Sequence, residues 1–263
     1  MNLIVSEWLA LNIGNSRLHW ALFKNNQLQE KCDTPHIAGK IEDLSIHFPP
    51  SRIANLISLT NQSSSTDTID CELWIASVVP KQFDYWCHYF KLNSIQLMDI
   101  PIQQLYSTLG VDRALALWGA IQTYGSPALV IDCGTAMTFT GANAKNQLIG
   151  GAIAPGVRLQ FQALGNHTAA LPALEPNQTL PNRWAKDTIN AIESGILHIL
   201  LAGIRDFIQD WQQQVGKSAI VLTGGDASLI YELLESDQIY LDLDLVFWGM
   251  RSIRANAQTL PNM

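Results

Sequence analysis

An α/β protein built from two related lobes is what this sequence predicts, and three observations carry the expectation. A strand-turn-strand unit recurs at a constant spacing of 120 residues, helical and extended apolar patterns alternate around the copies, and 263 residues with 48% hydrophobic content supply the material for two cores. At roughly 150 residues per domain the length points to two lobes, and a chain of this size buries about three quarters of the surface its unfolded form exposes. The boundary is placed so that the first domain spans residues 1–122 and the second residues 123–263.

The first copy opens with an apolar run of strand length at 9–13 and passes through a Gly-Asn-Ser turn into a second run at 18–23. Lys24-Asn25-Asn26-Gln27 reads as the next turn and a strand follows at Leu28, which predicts a meander of three strands. The second copy repeats this order with strand 129–133, turn Gly134-Thr135-Ala136, strand 137–141, turn 143–147 and strand 148–153. Adding 120 to Leu9, Asn12, Gly14 and Asn26-Gln27-Leu28 gives Leu129, Asp132, Gly134 and Asn146-Gln147-Leu148. Hairpins are common and Asn and Gln are frequent in turns, so chance is one explanation of the match. The other is a duplicated lobe, whose two polar turns, facing each other, hold a phosphate chain from both sides.

Around the copies, residues 112–124 place Leu115, Trp118 and Ile121 at helical spacing, and residues 188–215 do the same with Ile192, Ile196, Ile199-Leu200, Ile204 and Ile208. Residues 219–223 form a short β-type run ending in Gly224-Gly225, and 227–235 reads as a helix. The polar segment 61–70, N-Q-S-S-S-T-D-T-I-D, is the one clearly loop-like stretch and is expected to be mobile and without function.

Composition removes several classes of function. Cys32, Cys71, Cys87 and Cys133 form no C-x-x-C pair and no ligand spacing with histidine, which argues against zinc and a disulfide scaffold and for thiols in a reducing compartment. The N-terminal M-N-L-I-V-S-E-W lacks a basic segment before an apolar core, and no uncharged apolar run approaches the ~18 residues that span a bilayer. No membrane association and a cytoplasmic location are therefore expected. A net charge of -7 with no Lys/Arg-rich run would repel a phosphate backbone, so no nucleic-acid partner is expected. The scattered histidines read as structural and the tryptophans, mostly within apolar runs, as core.

Four segments carry residue types suited to chemistry. In V-I-D-C-G-T-A, residues 130–136, Asp132 ends an apolar strand and Gly134 and Thr135 follow on the turn. Such a turn exposes backbone N–H groups, lets a ligand approach where Cβ is missing and adds a hydroxyl donor, while the acid attracts a cation; the plain alternative is a hairpin whose Asp bonds its own turn. T-G-G-D-A, 223–227, follows a strand and opens a helix, so Gly224 and Gly225 bring a ligand to a helix N-terminus, or else form a tight connection capped by Asp226. The chain has no G-x-x-x-x-G-K-[ST] and no G-x-G-x-x-G after a strand, which removes the P-loop and dinucleotide readings. In L-G-V-D-R, 109–113, Asp112 either complements the helix dipole with Arg113 solvated beside it, or takes a proton from a substrate hydroxyl while Arg113 counters negative charge. G-G-A-I-A-P-G, 150–156, reads as a strand end and turn lining a site or lobe junction, or as a connector.

In order along the chain, the turn at 12–16, G-V-D-R at 110–113, D-C-G-T-A at 132–136, G-G-A-I-A-P-G at 150–156, D-T-I-N-A-I-E-S-G at 187–195 and T-G-G-D-A at 223–227 resemble the type III pantothenate kinases. The resemblance implies two duplicated RNase H-like domains of the actin-like ATPase kind, with the active site in the cleft between them. It implies ATP-dependent phosphorylation of pantothenate to 4'-phosphopantothenate, the first step of coenzyme A biosynthesis, by a cytoplasmic homodimer that uses Mg²⁺ or another divalent ion and the monovalent cation K⁺ or NH₄⁺. By position, Asp112 is the proton acceptor, and Gly110, Val111, Asp112, Arg113 and Thr188 meet pantothenate. Asn12, Ile13, Gly14, Asn15, Ser16, Arg17, Leu18 and His19 form the first ATP-binding segment, Thr135 belongs to the second, and Asp132 binds the monovalent cation. The placing of Gly224 and Gly225 at the adenosine comes from their strand-to-helix setting.

Two departures stand out. The family's first motif begins with Asp where this chain has Asn12, and the one nearby tyrosine, Tyr106, lies closer to Gly110 than the family's does. The rival functions are another actin-like acid or sugar kinase, against which G-V-D-R and Thr188 argue, and a catalytically weak nucleotide-binding regulatory relative, against which Asp112, Asp132 and Thr135 argue.

Overall fold

The computed structural model describes residues 7–37, 51–54, 71–86 and 92–259; the polar segment 61–70 and Cys87 lie outside these. Among the described residues, ten strands form two five-stranded sheets. The first contains β1 (Glu7–Ile13), β2 (Leu18–Lys24), β3 (Gln27–Thr34), β4 (Glu72–Ser77) and β5 (Leu92–Ser94) in the order β3-β2-β1-β4-β5. The second contains β6 (Ala128–Cys133), β7 (Ala136–Ala142), β8 (Leu148–Pro155), β9 (Ala219–Thr223) and β10 (Tyr240–Leu241) in the order β10-β9-β6-β7-β8. Read from its other edge, the second order matches the first. In each sheet an antiparallel meander of three strands is extended by two strands parallel to its first. This is the RNase H-like order, present twice, and the duplication expected from the repeat is a property of the fold.

Local chemistry sets the meanders. Asn25 and Asn26 both have positive φ, the conformation a tight two-residue hairpin turn needs, and asparagine tolerates it better than most side chains. In the second copy Asn143 Oδ1 accepts the N–H groups of Lys145 (2.9 Å) and Gln147 (3.0 Å), and Asn146 takes the positive φ. Each meander carries a register shift in its outer pairing, at Leu22/Phe23 and at Gly141/Ala142. The central strands β1, β6 and β9 are almost wholly buried, as near-continuous apolar runs require when both sheet faces are covered.

Among the described residues, the helices of five residues or more are α1 (Pro80–Asp84), α2 (Val111–Tyr124), α3 (Val157–His167), α4 (Thr188–Val215), α5 (Ala227–Leu234) and α6 (Leu245–Thr259). Asp187 caps α4 by accepting the Asn190 N–H at 3.0 Å, and Ile192, Ile196, Leu200 and Ile204 then line its buried stripe against Leu129, Ile131 and Leu222. No helix among the described residues is long and apolar enough to cross a membrane.

The chain divides into two compact units, one of Met1–Pro101, Tyr106–Gly119 and Val246–Met263, the other of Ile102–Leu105 and Ala120–Leu245. The sequence boundary at 122/123 had placed everything after it in the second domain, whereas α6 packs with the first unit. A Cβ on Gly249 would stand 2.3 Å from the Leu115 carbonyl oxygen, so the two helix backbones meet directly. Arg254, buried in α6, donates to Glu72 at 3.0 Å and lies over the Trp8 ring. Six tryptophans are buried as expected, but Trp184 is 87% exposed, because it lies in the polar connection before α4 and not in an apolar run.

Candidate active site

In the first unit, the polar residues at 12–16 close the β1–β2 hairpin. Asn12 ends the face of β1 that also carries Trp8 and Ala10, while Leu9, Leu11 and Ile13 fill the core on the other face. Its side chain is buried, and Oδ1 has no hydrogen-bond partner. A buried acceptor left unpaired costs about 1–3 kcal/mol, so this oxygen marks a place built for a donor. Asn15, Ser16 and Arg17 are exposed and Gly14 is buried, with its N–H on the Arg17 carbonyl at 3.0 Å and its own carbonyl on His36 Nε2 at 2.8 Å. Ile13 and Leu18 are core residues that hold the turn's ends. His19, directly across the ladder from Asn12, bonds through Nδ1 to Asp33 Oδ1 at 2.8 Å.

Asp112 stands in the first turn of α2 after Gly110 and the buried Val111. Its Oδ1 accepts the Arg113 N–H at 2.7 Å, and a Cβ on Gly110 would stand 2.5 Å from the same oxygen, so a side chain at position 110 would push the carboxylate out of this place. Burial pushes the Asp112 carboxyl above the ordinary carboxylate value, against the Arg113 N–H, the Arg113 charge and His19, which pull it down. Arg113 Nη1 donates to the Tyr106 hydroxyl at 3.3 Å, so Tyr106 is tied to the G-V-D-R segment through Arg113.

In the second unit three motifs converge on one turn. Asp132 ends β6, with Gly134 and the exposed Thr135 beyond it. On one side the Gly156 N–H donates to the Thr135 carbonyl at 2.9 Å, and a Cβ at 156 would stand 2.0 Å from the Gly134 carbonyl oxygen. On the other, the Asp226 N–H donates to the Cys133 carbonyl at 2.9 Å, and a Cβ on Gly224, which has φ +94°, would stand 2.3 Å from Asp132 Oδ1. The glycines of G-G-A-I-A-P-G and T-G-G-D-A thus let two backbone segments grip the D-C-G-T-A turn. Gly150–Gly156 belongs mainly to β8, which runs to Pro155, and only Gly156 is the turn.

Asp226 is the N-cap residue of α5 but makes no capping bond; its buried carboxylate accepts Arg158 Nε at 2.8 Å, and Arg158 also pairs with Glu175. Gly225 is exposed at the head of α5, and Thr188 is the exposed first residue of α4. Burial pushes the Cys32 and Cys71 thiols up to about 11 and Cys133 higher still, which leaves little thiolate for nucleophilic or redox work.

The structure therefore gathers Asn12, Gly14 and His19 on the first hairpin, Gly110, Asp112 and Arg113 at the head of α2, and Asp132, Thr135, Gly224 and Asp226 around the second hairpin. Sequence reading had missed Asp33, His36, Arg158 and Glu175. The only signal for Arg158 is a charge two residues beyond a motif and Asp33 has none, and neither pairing can be read without the fold.

A profile described as "Type III pantothenate kinase" matches residues 8–210. A type III pantothenate kinase from Nostoc sp. (strain PCC 7120) is 42% identical over 96% of both chains, and one from Synechocystis sp. (strain PCC 6803) is 38% identical over 94% of this chain and 90% of its own. A crystal structure of a conserved Baf family protein from Campylobacter jejuni shares the fold, with a TM-score of 0.64 at 18% identity over 96% of this chain and all of that one.

Proposed function

Because the chain belongs to the type III pantothenate kinase family, we propose that it transfers the γ-phosphoryl group of ATP to the primary hydroxyl of pantothenate, the first step toward coenzyme A, with Asp112 as the proton acceptor. The observation that carries this role is the position of Asp112: a carboxylate set at the head of a helix, fixed by the Arg113 N–H and sheltered enough that burial raises its pKa.

Even raised, that carboxyl is far too weak a base to strip an alcohol before bond formation. Phosphoryl transfer passes through a loose transition state, so proton loss comes late and most of the rate comes from positioning and charge stabilisation. Asp112 orients the pantothenate hydroxyl and collects its proton as the bond to phosphorus forms. Arg113, steadied by Tyr106, offers its guanidinium to negative charge on the substrate, Gly110 keeps the approach to the carboxylate open, and Val111 and Thr188 complete the pantothenate contacts.

Asn12, Ile13, Gly14, Asn15, Ser16, Arg17, Leu18 and His19 form the first phosphate segment, Thr135 the second, and Gly224-Gly225 the approach to the adenosine. No group of three or more His, Cys, Asp or Glu side chains among the described residues is arranged to hold a metal ion, while Asn12 Oδ1 is an acceptor awaiting a donor. That arrangement would suit Mg²⁺ arriving on ATP with its waters, with Asn12 Oδ1 available to accept from one of them. Such an ion would supply positive charge to offset the negative charge of the phosphate chain. Asp132 takes the monovalent cation, K⁺ or NH₄⁺.

In this reading the enzyme works in the cytoplasm as a homodimer, and the exposed apolar side chains of Ile189, Ile199 and Phe207 on α4 and Ile153 on β8 support the dimer. A coupled ADP-release assay with ATP and pantothenate, against pantothenate-free and sugar controls, tests the activity. No release with any divalent and monovalent pair would sink it, and sedimentation at micromolar protein tests the dimer.

A further inference from the structure

Asn12 on β1, His19 on β2 and Asp33 on β3 lie at one register level, since Asn12 pairs with His19 and His19 with Asp33. Directly paired residues share a sheet face, so the three side chains form one row that begins at the unpartnered Asn12 oxygen. His19 spends its Nδ1 on Asp33 at 2.8 Å, and its opposite edge borders the turn, because a Cβ on Gly14 would stand 3.5 Å from Nε2. Both side chains are substantially exposed, at 39% and 47%, and an exposed pair contributes about 0–1 kcal/mol to stability. Folding therefore gives little reason for the pair.

We propose that Asp33 is a positioning residue for ATP: its carboxylate accepts from Nδ1–H and holds the His19 ring so that, with both ring nitrogens protonated when nucleotide is bound, Nε2–H faces the 12–16 turn and donates to the phosphate chain there. The inference rests on the kinase reading above and adds Asp33 to its site. The chemistry is that of an imidazolium held between two anions, in which the carboxylate on Nδ1–H orients the ring and Nε2–H is the donor offered to phosphate. Burial raises the Asp33 carboxyl, but the His19 hydrogen bond and charge, with Arg17 and Lys31, outweigh it and hold the carboxyl below its ordinary value, so it is the ionised acceptor that this role needs. The remaining groups around His19 are His36, on the Gly14 carbonyl, and Asp112, which feels the His19 charge.

The test uses the magnesium complex of adenylyl imidodiphosphate, a non-hydrolysable ATP analogue, titrated by calorimetry into the full chain, with ¹⁵N spectra of the histidines. His19→Ala should raise its Kd about tenfold, the size of one charge-assisted hydrogen bond, and raise the KM for ATP while the KM for pantothenate stays put. Asp33→Ala should move the same quantities the same way by less, with loss of the Nδ1-protonated signature of His19. Asp33→Asn, which keeps an acceptor, should restore both. Unchanged nucleotide Kd in His19→Ala, or an unchanged His19 signature in Asp33→Ala, overturns the proposal; if Asp33→Ala does not fold, His19→Ala and Asp33→Asn decide. Wild-type protein that binds no analogue would instead overturn the kinase reading on which the proposal stands.

Discussion

The turn after β1 and the turn after β6 occupy the same place in two copies of one topology, and they are finished by different means. Side chains complete the first: His36 holds the Gly14 carbonyl, Asp33 holds His19, and Asn12 keeps an unpartnered oxygen. Backbone completes the second, where Gly156 and Gly224 pack against residues 132–135 at distances no Cβ would allow. A duplicated frame has thus kept its strand order and diverged in how each turn is closed. The side-chain solution can be rewritten one residue at a time, whereas the backbone solution ties three distant segments together and tolerates little change.

The largest expected effect lies beside the first turn. Asp112→Asn keeps the shape and loses the proton acceptor, so turnover should fall by roughly 10²–10⁴-fold with nucleotide affinity unchanged, as measured by ADP release and calorimetry. Loss of ATP binding in this variant would show that the residue is structural. The same group sets the acid limb of activity. Its ionised form is required and burial raises its pKa, so kcat/KM should fall as pH drops through a value above the ordinary Asp figure of about 3.9.

Next comes the backbone-closed turn. Gly224→Ala forces a side chain into left-handed backbone and against Asp132, at a cost of about 1–3 kcal/mol in urea denaturation with weakened nucleotide binding. A neutral result would mean that this turn is as adaptable as the first. Arg158→Ala removes the partner of the buried Asp226 carboxylate, but the arginine is 54% exposed and solvent screens the pair, so a loss of about 1 kcal/mol or less is expected in the same denaturation series. Asn12→Asp should be the mildest change: Mg²⁺–ATP should bind at least as tightly by calorimetry. Weaker binding there would give Asn12 a role of its own.

Much of this architecture was legible in the sequence because the repeat carries its own register. Residues 188–215 and 219–223 were bounded as the structure has them, since a helical stripe and a capped start leave little latitude. α3, α6 and β4 were not anticipated. Their faces pack against segments far away in the chain, and a pattern read locally does not reveal what covers it. The G-V-D-R, D-C-G-T-A and T-G-G-D-A residues were legible as types, but the grip of Gly156 and Gly224 on Asp132 and its turn was not. Asp33 shows the physical reason most clearly. With Lys24 paired to Gln27 and Phe23 to Leu28, an unbroken ladder would set Cys32 opposite His19; the register shift at Leu22/Phe23 moves Asp33 there instead. One bulge decides whether the imidazole meets a thiol or a carboxylate.

The grouping of α6 with the first unit bears on how the chain is made. Domains generally fold as units, the N-terminal one first during synthesis. Here the first unit lacks Gly249 against Leu115, Trp248 against Phe23 and Arg254 against Glu72 until residues 246–259 have left the ribosome. The second unit, continuous from Ala120 to Leu245 apart from four residues made earlier, has all its strands by then. The order of completion is therefore the reverse of the order of translation: the lobe begun first is finished last, and a nascent chain stalled before α6 carries a complete second lobe and an open first one.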